Sequence, residues 1–285
     1  MKAQEALVVA TRQLTQAGIA GAAGDARRLL AHALGIAPDR LTLALQDLMP
    51  EGAQTRLDAA IAARAAHQPV AQITGKRLFW GAEFRVTRDT LDPRPETEIL
   101  VQAALEQPFV SLLDLGTGTG CILISLLKSM PFARATGTDI SAAALEVARE
   151  NADVLGVSKR AGFVTSDWFA SVNGRFDLIV SNPPYIAAAE MAALSPDVRN
   201  WEPPGALSPG GDGLDAYRAI SRGADARLMA GGRILLEIGP TQGAAVHDLL
   251  AAQGFAKIAI LRDLDGRDRV VSARKPTESS SCALS

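Results

Sequence analysis

Apolar residues recur at helical spacing through the first seventy positions, at Leu7, Ala10 and Leu14 and again at Leu29, Leu30 and Ala33. Gly18 and Gly21 separate a first helix from a second, Pro38 opens a short third, and Pro50-Glu51 starts a fourth that runs to Ala66. The pattern predicts a small helical bundle over residues 1–72. From Lys76 the period shortens to two through Phe79, Trp80, Phe84 and Val86, which predicts a β-hairpin connector over 73–96, punctuated by Pro93 and Pro95. Beyond residue 97 an apolar helix reaches Leu105, and β-rich runs then alternate with helical ones. Strands are expected near Val110–Leu115, Ala133–Asp139, Gly162–Ser166, Asp177–Ser181, Arg233–Ile238, Ala256–Leu261 and Arg269–Ser272. Helices are expected near Gly120–Ser129, Ala142–Leu155, Leu214–Leu228 and Gly243–Gln253. Such alternation over 97–274 implies an α/β domain with a mostly parallel sheet covered on both faces. Its ligand belongs at the carboxyl ends of the strands, near a topological switch point. The segment 275–285, with Ser279-Ser280-Ser281, reads as a disordered tail.

Composition narrows the class. With 285 residues and 48% hydrophobic content, the chain can fill the core of one large domain and a smaller one. Its 29 basic and 31 acidic residues leave a formal charge of −2, so there is no basic field for stable nucleic-acid binding. Cys121 and Cys282 are too far apart in sequence and setting to suggest a disulfide framework or a metal site. The amphipathic N-terminus does not resemble a signal peptide, and no apolar run reaches the roughly 18 residues of a membrane span. A cytoplasmic protein with no membrane association, and a monomer, is the expectation.

Two strand ends carry candidate ligand chemistry. Leu112-Leu113-Asp114-Leu115 runs into Gly116-Thr117-Gly118-Thr119-Gly120, a glycine turn that opens a helix and lets backbone approach a ligand without Cβ collision. The spacing G-x-G-x-G, followed by Cys121, departs from the dinucleotide pattern G-x-G-x-x-G and favours a compact nucleoside. Asp139 closes the next strand, where a carboxylate can accept from both ribose hydroxyls; an Asp there can equally cap the helix after Ser141. Ser166-Asp167-Trp168 closes the strand after that, offering an acid for an adenine amino group and a ring beside it, although a lone Trp168 is also ordinary core packing.

The strand Phe176–Val180 leads into Ser181-Asn182-Pro183-Pro184-Tyr185. Successive prolines fix φ and remove backbone donors, leaving a stiff chain with bare carbonyl acceptors. A planar NH₂ group could donate one hydrogen to the Asn182 side-chain oxygen and the other to the Pro183 carbonyl, with Tyr185 over its face. An amide nitrogen is a poor nucleophile, so holding it against an activated methyl group answers the chemical difficulty by positioning. Glutamine and adenine would both satisfy this tetrapeptide.

Taken together, the chain resembles the bacterial protein-(glutamine-N5) methyltransferases that modify the Gly-Gly-Gln loop of class 1 peptide chain release factors. The resemblance spans the chain to Arg274 and is carried by Pro69-Val70-Ala71-Gln72-Ile73-Thr74-Gly75, Phe79-Trp80, Pro93-Arg94-Pro95-Glu96-Thr97-Glu98, Asp114 to Gly120, Ser166-Asp167-Trp168-Phe169, Asn182 to Tyr185 and Val198-Arg199-Asn200-Trp201-Glu202-Pro203. It implies a Rossmann-like class I fold with a seven-stranded sheet, S-adenosylmethionine as cofactor and class 1 release factors as substrate. It further implies cofactor contacts at Gly116, Thr117, Gly118, Thr119, Gly120, Asp139, Trp168 and Asn182, and substrate contacts from Asn182, Pro183, Pro184 and Tyr185. The helical N-terminal region is then a docking element for a large protein substrate. The tetrapeptide is shared with adenine-N6 DNA methyltransferases and with a glutamine methyltransferase of a ribosomal protein, and Pro93 to Glu98 favours the release-factor branch. Two positions depart from the usual pattern. Asp92 stands where an apolar residue is usual and alters the expected pocket wall; Trp201 replaces Phe.

Remaining candidates are assigned modest roles. His32, His67 and His247 lie on helices without companion ligands and read as surface or helix-end residues. Cys121 packs as a small apolar residue. Arg94 and Glu96 line the site entrance or pair at the surface. Gly210-Gly211-Asp212-Gly213 reads as a mobile loop that could contribute to a lid. Glu237 ends a central strand near the cleft, and its burial would be a functional sign.

Overall fold

The computed structural model describes residues 1–277, and it divides into two units, Met1–Lys76 with Leu194–Trp201 and Arg77–Ala193 with the chain from Glu202 onward. Cys282 and the Ser279–Ser281 run of the expected tail lie outside the described residues.

The first unit is helical. Its helices span Ala3–Gln16, Ala22–Leu34, Leu41–Ala44, Ala53–Ala65 and Val70–Thr74. Gly18 and Gly21, both at a φ of +74°, make the turn between the first two, a backbone conformation that favours glycine. The helices bury Leu14, Leu29, Leu30, Leu41 and Leu57 among many alanines, so they approach closely without large side chains. The fourth helix starts later than expected because Gly52 takes a left-handed conformation before Ala53. Residues 194–201, with a helical turn at Pro196–Arg199, belong to this unit although the sequence pattern assigns them to the α/β region. Arg64, 6% exposed, binds them: its Nε donates to Asp25 Oδ2 and its Nη2 to Asp197 Oδ2, both at 2.7 Å. His67 Nδ1 lies 2.8 Å from Asp197 Oδ1, and Trp201 Nε1 donates to the Ala66 carbonyl at 3.1 Å. His67 thus does have a partner, an aspartate 130 positions away that local periodicity cannot reveal.

The second unit opens on a hairpin of β1, Lys76–Phe79, and β2, Ala82–Arg85. Trp80 and Gly81 turn it with φ of +47° and +70°, and Phe79 meets Phe84 edge to face at 6.0 Å. Trp80 is therefore a turn residue and not a strand position. Seven strands follow: β3 Ser111–Leu115, β4 Arg134–Asp139, β5 Ala161–Thr165, β6 Phe176–Ser181, β7 Leu228–Glu237, β8 Ala256–Arg262 and β9 Asp268–Arg274. Their order is β5-β4-β3-β6-β7-β9-β8, parallel from β5 to β7, with β9 antiparallel to both β7 and β8.

Alternate residues of the central strands enter two different cores. Leu112, Leu178, Val180, Leu235 and Val270 face one, with the helices Glu98–Leu105 and Cys121–Ser129. Leu113, Ile179, Ile234, Leu236 and Val271 face the other, with the helices Asp215–Arg227 and Gly243–Ala252. Because both faces are covered, these strands read as continuous apolar runs. A buried leucine contributes roughly 2–3 kcal/mol relative to exposure, so the sheet centre is the stable part of this unit.

Candidate functional site

The chain runs outward from β3 through β4 to β5 on one side, then returns to β6 and β7 on the other. The switch point therefore lies between β3 and β6, where a crevice opens at the carboxyl ends. Leu115, last in β3, pairs with Ser181, last in β6, and the Ser181 hydroxyl donates to the Leu115 carbonyl at 2.7 Å. The next residues on the two strands are Gly116 and Asn182. Topology alone thus sets the glycine turn beside the tetrapeptide.

The glycine turn is built from short local bonds. Gly116, Gly118 and Gly120 have φ of +67°, +54° and +78°. A Cβ on Gly120 would stand 2.9 Å from Ile124 Cδ1, so this glycine lets the helix pack; at Gly116 and Gly118 no atom lies within 4 Å, leaving open space beside the backbone. The Thr117 hydroxyl donates to Asp114 Oδ2 at 2.7 Å. Burial pushes the Asp114 carboxyl up to about 7 against the opposing pull of Thr117. The Gly118 N–H donates to Asp139 Oδ2 and the Ser141 N–H to Asp139 Oδ1, each at 2.9 Å. Ser141, not Asp139, caps the helix Ala142–Val154, its hydroxyl accepting from the Ala144 N–H. Each Asp139 oxygen keeps acceptor capacity, and the carboxylate is held in one orientation.

A cavity of about 570 Å³ is lined by Gly116, Thr117, Gly118, Thr119, Asp139, Asp167, Trp168, Asn182, Pro184 and Arg94. Gly120, Pro183 and Tyr185 are outside its wall. Asp92, buried at 4% exposure, also lines it, and burial raises its carboxyl despite nearby Arg94 and Arg77. Cys121 is in the wall with its thiol pushed by burial up to about 12, so it stays neutral. Trp168 holds a φ of +46°, costly for a bulky residue. The Ser166 hydroxyl supports this turn by donating to the Trp168 carbonyl at 2.9 Å. Trp168 packs on the second core and lines the cavity at once, so both readings of it apply.

The tetrapeptide is held from a distance. Asn182 Nδ2 donates to Thr97 Oγ1 at 3.2 Å. Gln242 Nε2 donates to the Tyr185 carbonyl at 2.9 Å, while Gln242 Oε1 accepts from the Gly239 N–H at 3.0 Å. Gly213, with a φ of +81°, passes so close that a Cβ there would fall 2.5 Å from the Tyr185 carbonyl oxygen. The loop containing Gly210 to Gly213 is thus packed against the tetrapeptide segment, and the Ala188 N–H donates to the Gly211 carbonyl at 3.1 Å.

A second cavity of about 290 Å³ is lined by Arg94, Glu96, Tyr185, Glu237 and Arg269. Arg94 lines both cavities and pairs with the buried Glu202 carboxylate. Glu237, last in β7, is 1% exposed, and its Oε2 makes no hydrogen bond. Burial pushes its carboxyl up to about 7, although the Thr97 hydroxyl and Arg269 pull it down. Burial also drives the Tyr185 phenol up to about 12, so it remains a neutral hydroxyl.

Sequence reasoning did not single out Thr97, Gln242 or Asn151 as supports of the site. Asn151 is 2% exposed, and its Nδ2 donates to the carbonyls of Thr119 and Arg85 while its Oδ1 accepts from the Arg85 N–H. A buried polar residue on an otherwise apolar helix face was the available signal. Among the described residues no three His, Cys, Asp or Glu side chains group as metal ligands.

A sheet that switches between β3 and β6, with a glycine turn and a strand-end acid at its carboxyl edge, defines a class I S-adenosylmethionine-dependent methyltransferase. A methyltransferase of Pyrococcus furiosus has the same fold, with a TM-score of 0.53 and 18% identity over 77% of this chain and 98% of its own. Residues 87–197 match the Methyltransferase small domain and residues 5–75 the PrmC N-terminal domain. The release factor glutamine methyltransferase of Cereibacter sphaeroides is 64% identical over 276 residues, covering 97% of this chain and 99% of its own length. That of Rhodospirillum rubrum is 45% identical over 267 residues, covering 92% and 82%. The chain belongs to the release factor glutamine methyltransferase family.

Proposed function

We propose that this protein transfers the methyl group of S-adenosylmethionine to the side-chain amide nitrogen, N5, of the glutamine in the Gly-Gly-Gln motif of class 1 release factors. The observation that carries the reading is the shared wall: Asn182 and Pro184 line the same cavity as Gly116 to Thr119 and Asp139. The names of the relatives supply the acceptor, and they do not favour a ribosomal protein or adenine.

The residues present fit the cofactor. Open space beside Gly116 and Gly118 accommodates a ligand against bare backbone, Asp139 has acceptor capacity for a ribose diol, and about 570 Å³ is within the range of a nucleoside-sized pocket. Gly116 to Thr119, Asp139, Asp167, Trp168 and Asn182 are the holding set, with Gly120 closing the turn behind them. Bound there, S-adenosylmethionine supplies an electrophilic methyl group.

The chain's own part is positioning. Asn182 Oδ1 accepts one amide N–H and the Pro183 carbonyl the other, which fixes the amide plane and concentrates electron density on nitrogen. Tyr185, neutral at physiological pH, closes one side of the acceptor. Arg94 contributes to the substrate wall. Carbonyl oxygens stabilise the positive charge that builds on the nitrogen; as the N–C bond forms the methyl group's bond to the sulfonium sulfur would break, leaving a neutral thioether, and one amide proton would pass to water. The helical unit and the connector serve to dock the protein substrate. The small net charge of −2 supports an enzyme with no stable nucleic-acid binding, and we infer a cytoplasmic monomer. Among the described residues no helix is long and apolar enough to cross a membrane.

Incubation of labelled cofactor with a purified release factor, followed by mass assignment of the modified residue, is the test. Label on the Gly-Gly-Gln glutamine is expected, and an unlabelled folded release factor beside labelled DNA or ribosomal protein overturns the reading.

A further inference from the structure

Among the described residues, Asp89, Asp92, Asp139, Asp167 and Asp215 line the main cavity, and of these acids only Asp92 is buried, at 4% exposure. Its Oδ1 is out of contact with water and has no hydrogen-bond partner. The two cations that bear on it are bonded to other groups: Arg77 Nε donates to the Pro93 carbonyl at 3.1 Å, and Arg94 pairs with Glu202. Asp139, by contrast, receives an N–H on each oxygen. A carboxylate taken out of water without a donor is costly, and its charge can be matched only across the side that lines the cavity.

The backbone keeps this carboxylate in the wall. All seven residues from Arg88 to Arg94 line the cavity, and Pro93 restricts Asp92 before it toward an extended conformation. Asp114 also has an oxygen without a partner, but it is in the wall of neither cavity, and its other oxygen accepts from Thr117. Of the groups that enter the cavity, a glutamine side chain and its main chain are neutral. S-adenosylmethionine brings two positive centres, a sulfonium without N–H groups and an α-ammonium. Only the ammonium supplies counter-charge and hydrogen-bond donors together.

We propose that Asp92 is the acceptor for the α-ammonium group of S-adenosylmethionine, a contact that the apolar residue usual at this position cannot make. The assignment rests on the cofactor and not on the identity of the methyl acceptor. It also explains why an acid without a protein partner is kept in the wall: Asp92 weakens the empty protein and strengthens the loaded one.

The test titrates the full-length protein by calorimetry with S-adenosylhomocysteine, which keeps the ammonium group, and with its deaminated analogue, which has hydrogen in that place. In Asp92→Asn, Kd for S-adenosylhomocysteine rises at least roughly tenfold, while Kd for the deaminated analogue stays within about threefold of wild type. Asp92→Leu gives the same pattern, and without ligand it melts roughly 2 °C or more above wild type. Unchanged affinity for S-adenosylhomocysteine, or an equal loss for both ligands, overturns the proposal. So does a lower unliganded melting temperature in both variants, because the carboxylate would then be paired inside the protein. A wild-type protein that binds S-adenosylhomocysteine and methylates no release factor sinks the proposed function, while the titrations still decide the Asp92 contact.

Discussion

The two walls of the main cavity are held in different ways. The glycine-turn wall is stabilised by residues close in sequence: Thr117 to Asp114 across three positions, and Gly118 to Asp139 across 21. The tetrapeptide wall is held by Thr97 across 85 positions and by Gln242 across 57. The first wall is a backbone shape that glycine makes possible, so its defects should appear in cofactor affinity. The second is a set of oriented side chains and carbonyls supported from other elements, so its defects should appear in turnover.

The strongest way to break this comparison is Asn182→Ala. Turnover should fall by about 10²–10³-fold, the scale seen when one preorganised hydrogen-bonding group is lost, with cofactor affinity changed much less. Equal loss of both, read by titration calorimetry beside single-turnover rates, would show that the walls are not separable. Next in size is a pair of glycine substitutions. Gly213→Ala forces a Cβ to within 2.5 Å of the Tyr185 carbonyl oxygen at a φ of +81°, a strain of about 1–3 kcal/mol, and should lower kcat and melting temperature together. Gly118→Ala meets no protein atom within 4 Å but intrudes on the open space beside the turn, so cofactor Kd should rise roughly tenfold or more while unliganded stability drops by about 1 kcal/mol.

A smaller effect sharpens the second wall. Gln242→Leu leaves the Tyr185 carbonyl and the Gly239 N–H without their partner, at about 1–3 kcal/mol, and should lower kcat several-fold with unchanged cofactor Kd. The smallest concerns pH. Glu237 has its carboxyl raised from 4.5 to about 7 in the fold, with Arg94, Glu96, Tyr185 and Arg269 around the same cavity. The folded protein binds this proton more tightly than the unfolded chain. Its contribution is fully present below about 4.5 and is lost as pH rises through about 7, by at most about 3 kcal/mol. Glu237→Gln removes that dependence, so its melting temperature relative to wild type should be higher at pH 8 than at pH 5. A constant difference across that interval would show that Glu237 titrates normally.

Much of the first wall was legible in the chain. The strand, the glycine spacing and the strand-end Asp139 are local patterns, and their backbone consequences follow within a few residues. The stiff tetrapeptide was legible as a motif, but its supports were not. Thr97 stands in the Pro93–Glu98 segment without a local sign of its contact, and Gln242 and Asn151 lie in helical regions whose periodicity does not reveal their partners. Each acts through a hydrogen bond to an element far along the chain. The Arg64 and Asp197 pairing was hidden for the same reason, as was the return of residues 194–201 to the helical unit. Strand pairing fixes such neighbours only once the whole sheet has formed.

Taken alone, the sequence determined the class of each region, the apolar runs of a doubly covered sheet, the conformation of the glycine turn and the chemistry available at Asn182 to Tyr185. These depend on side-chain periodicity and on φ, which act over short distances. The tertiary structure decided which ends of those elements meet. The switch between β3 and β6 brought Gly116 beside Asn182, burial raised the carboxyl of Glu237, and a threonine 85 positions away became the hydrogen-bond partner of the Asn182 amide. Orientation and protonation are properties of surroundings, and those surroundings exist only in the folded chain.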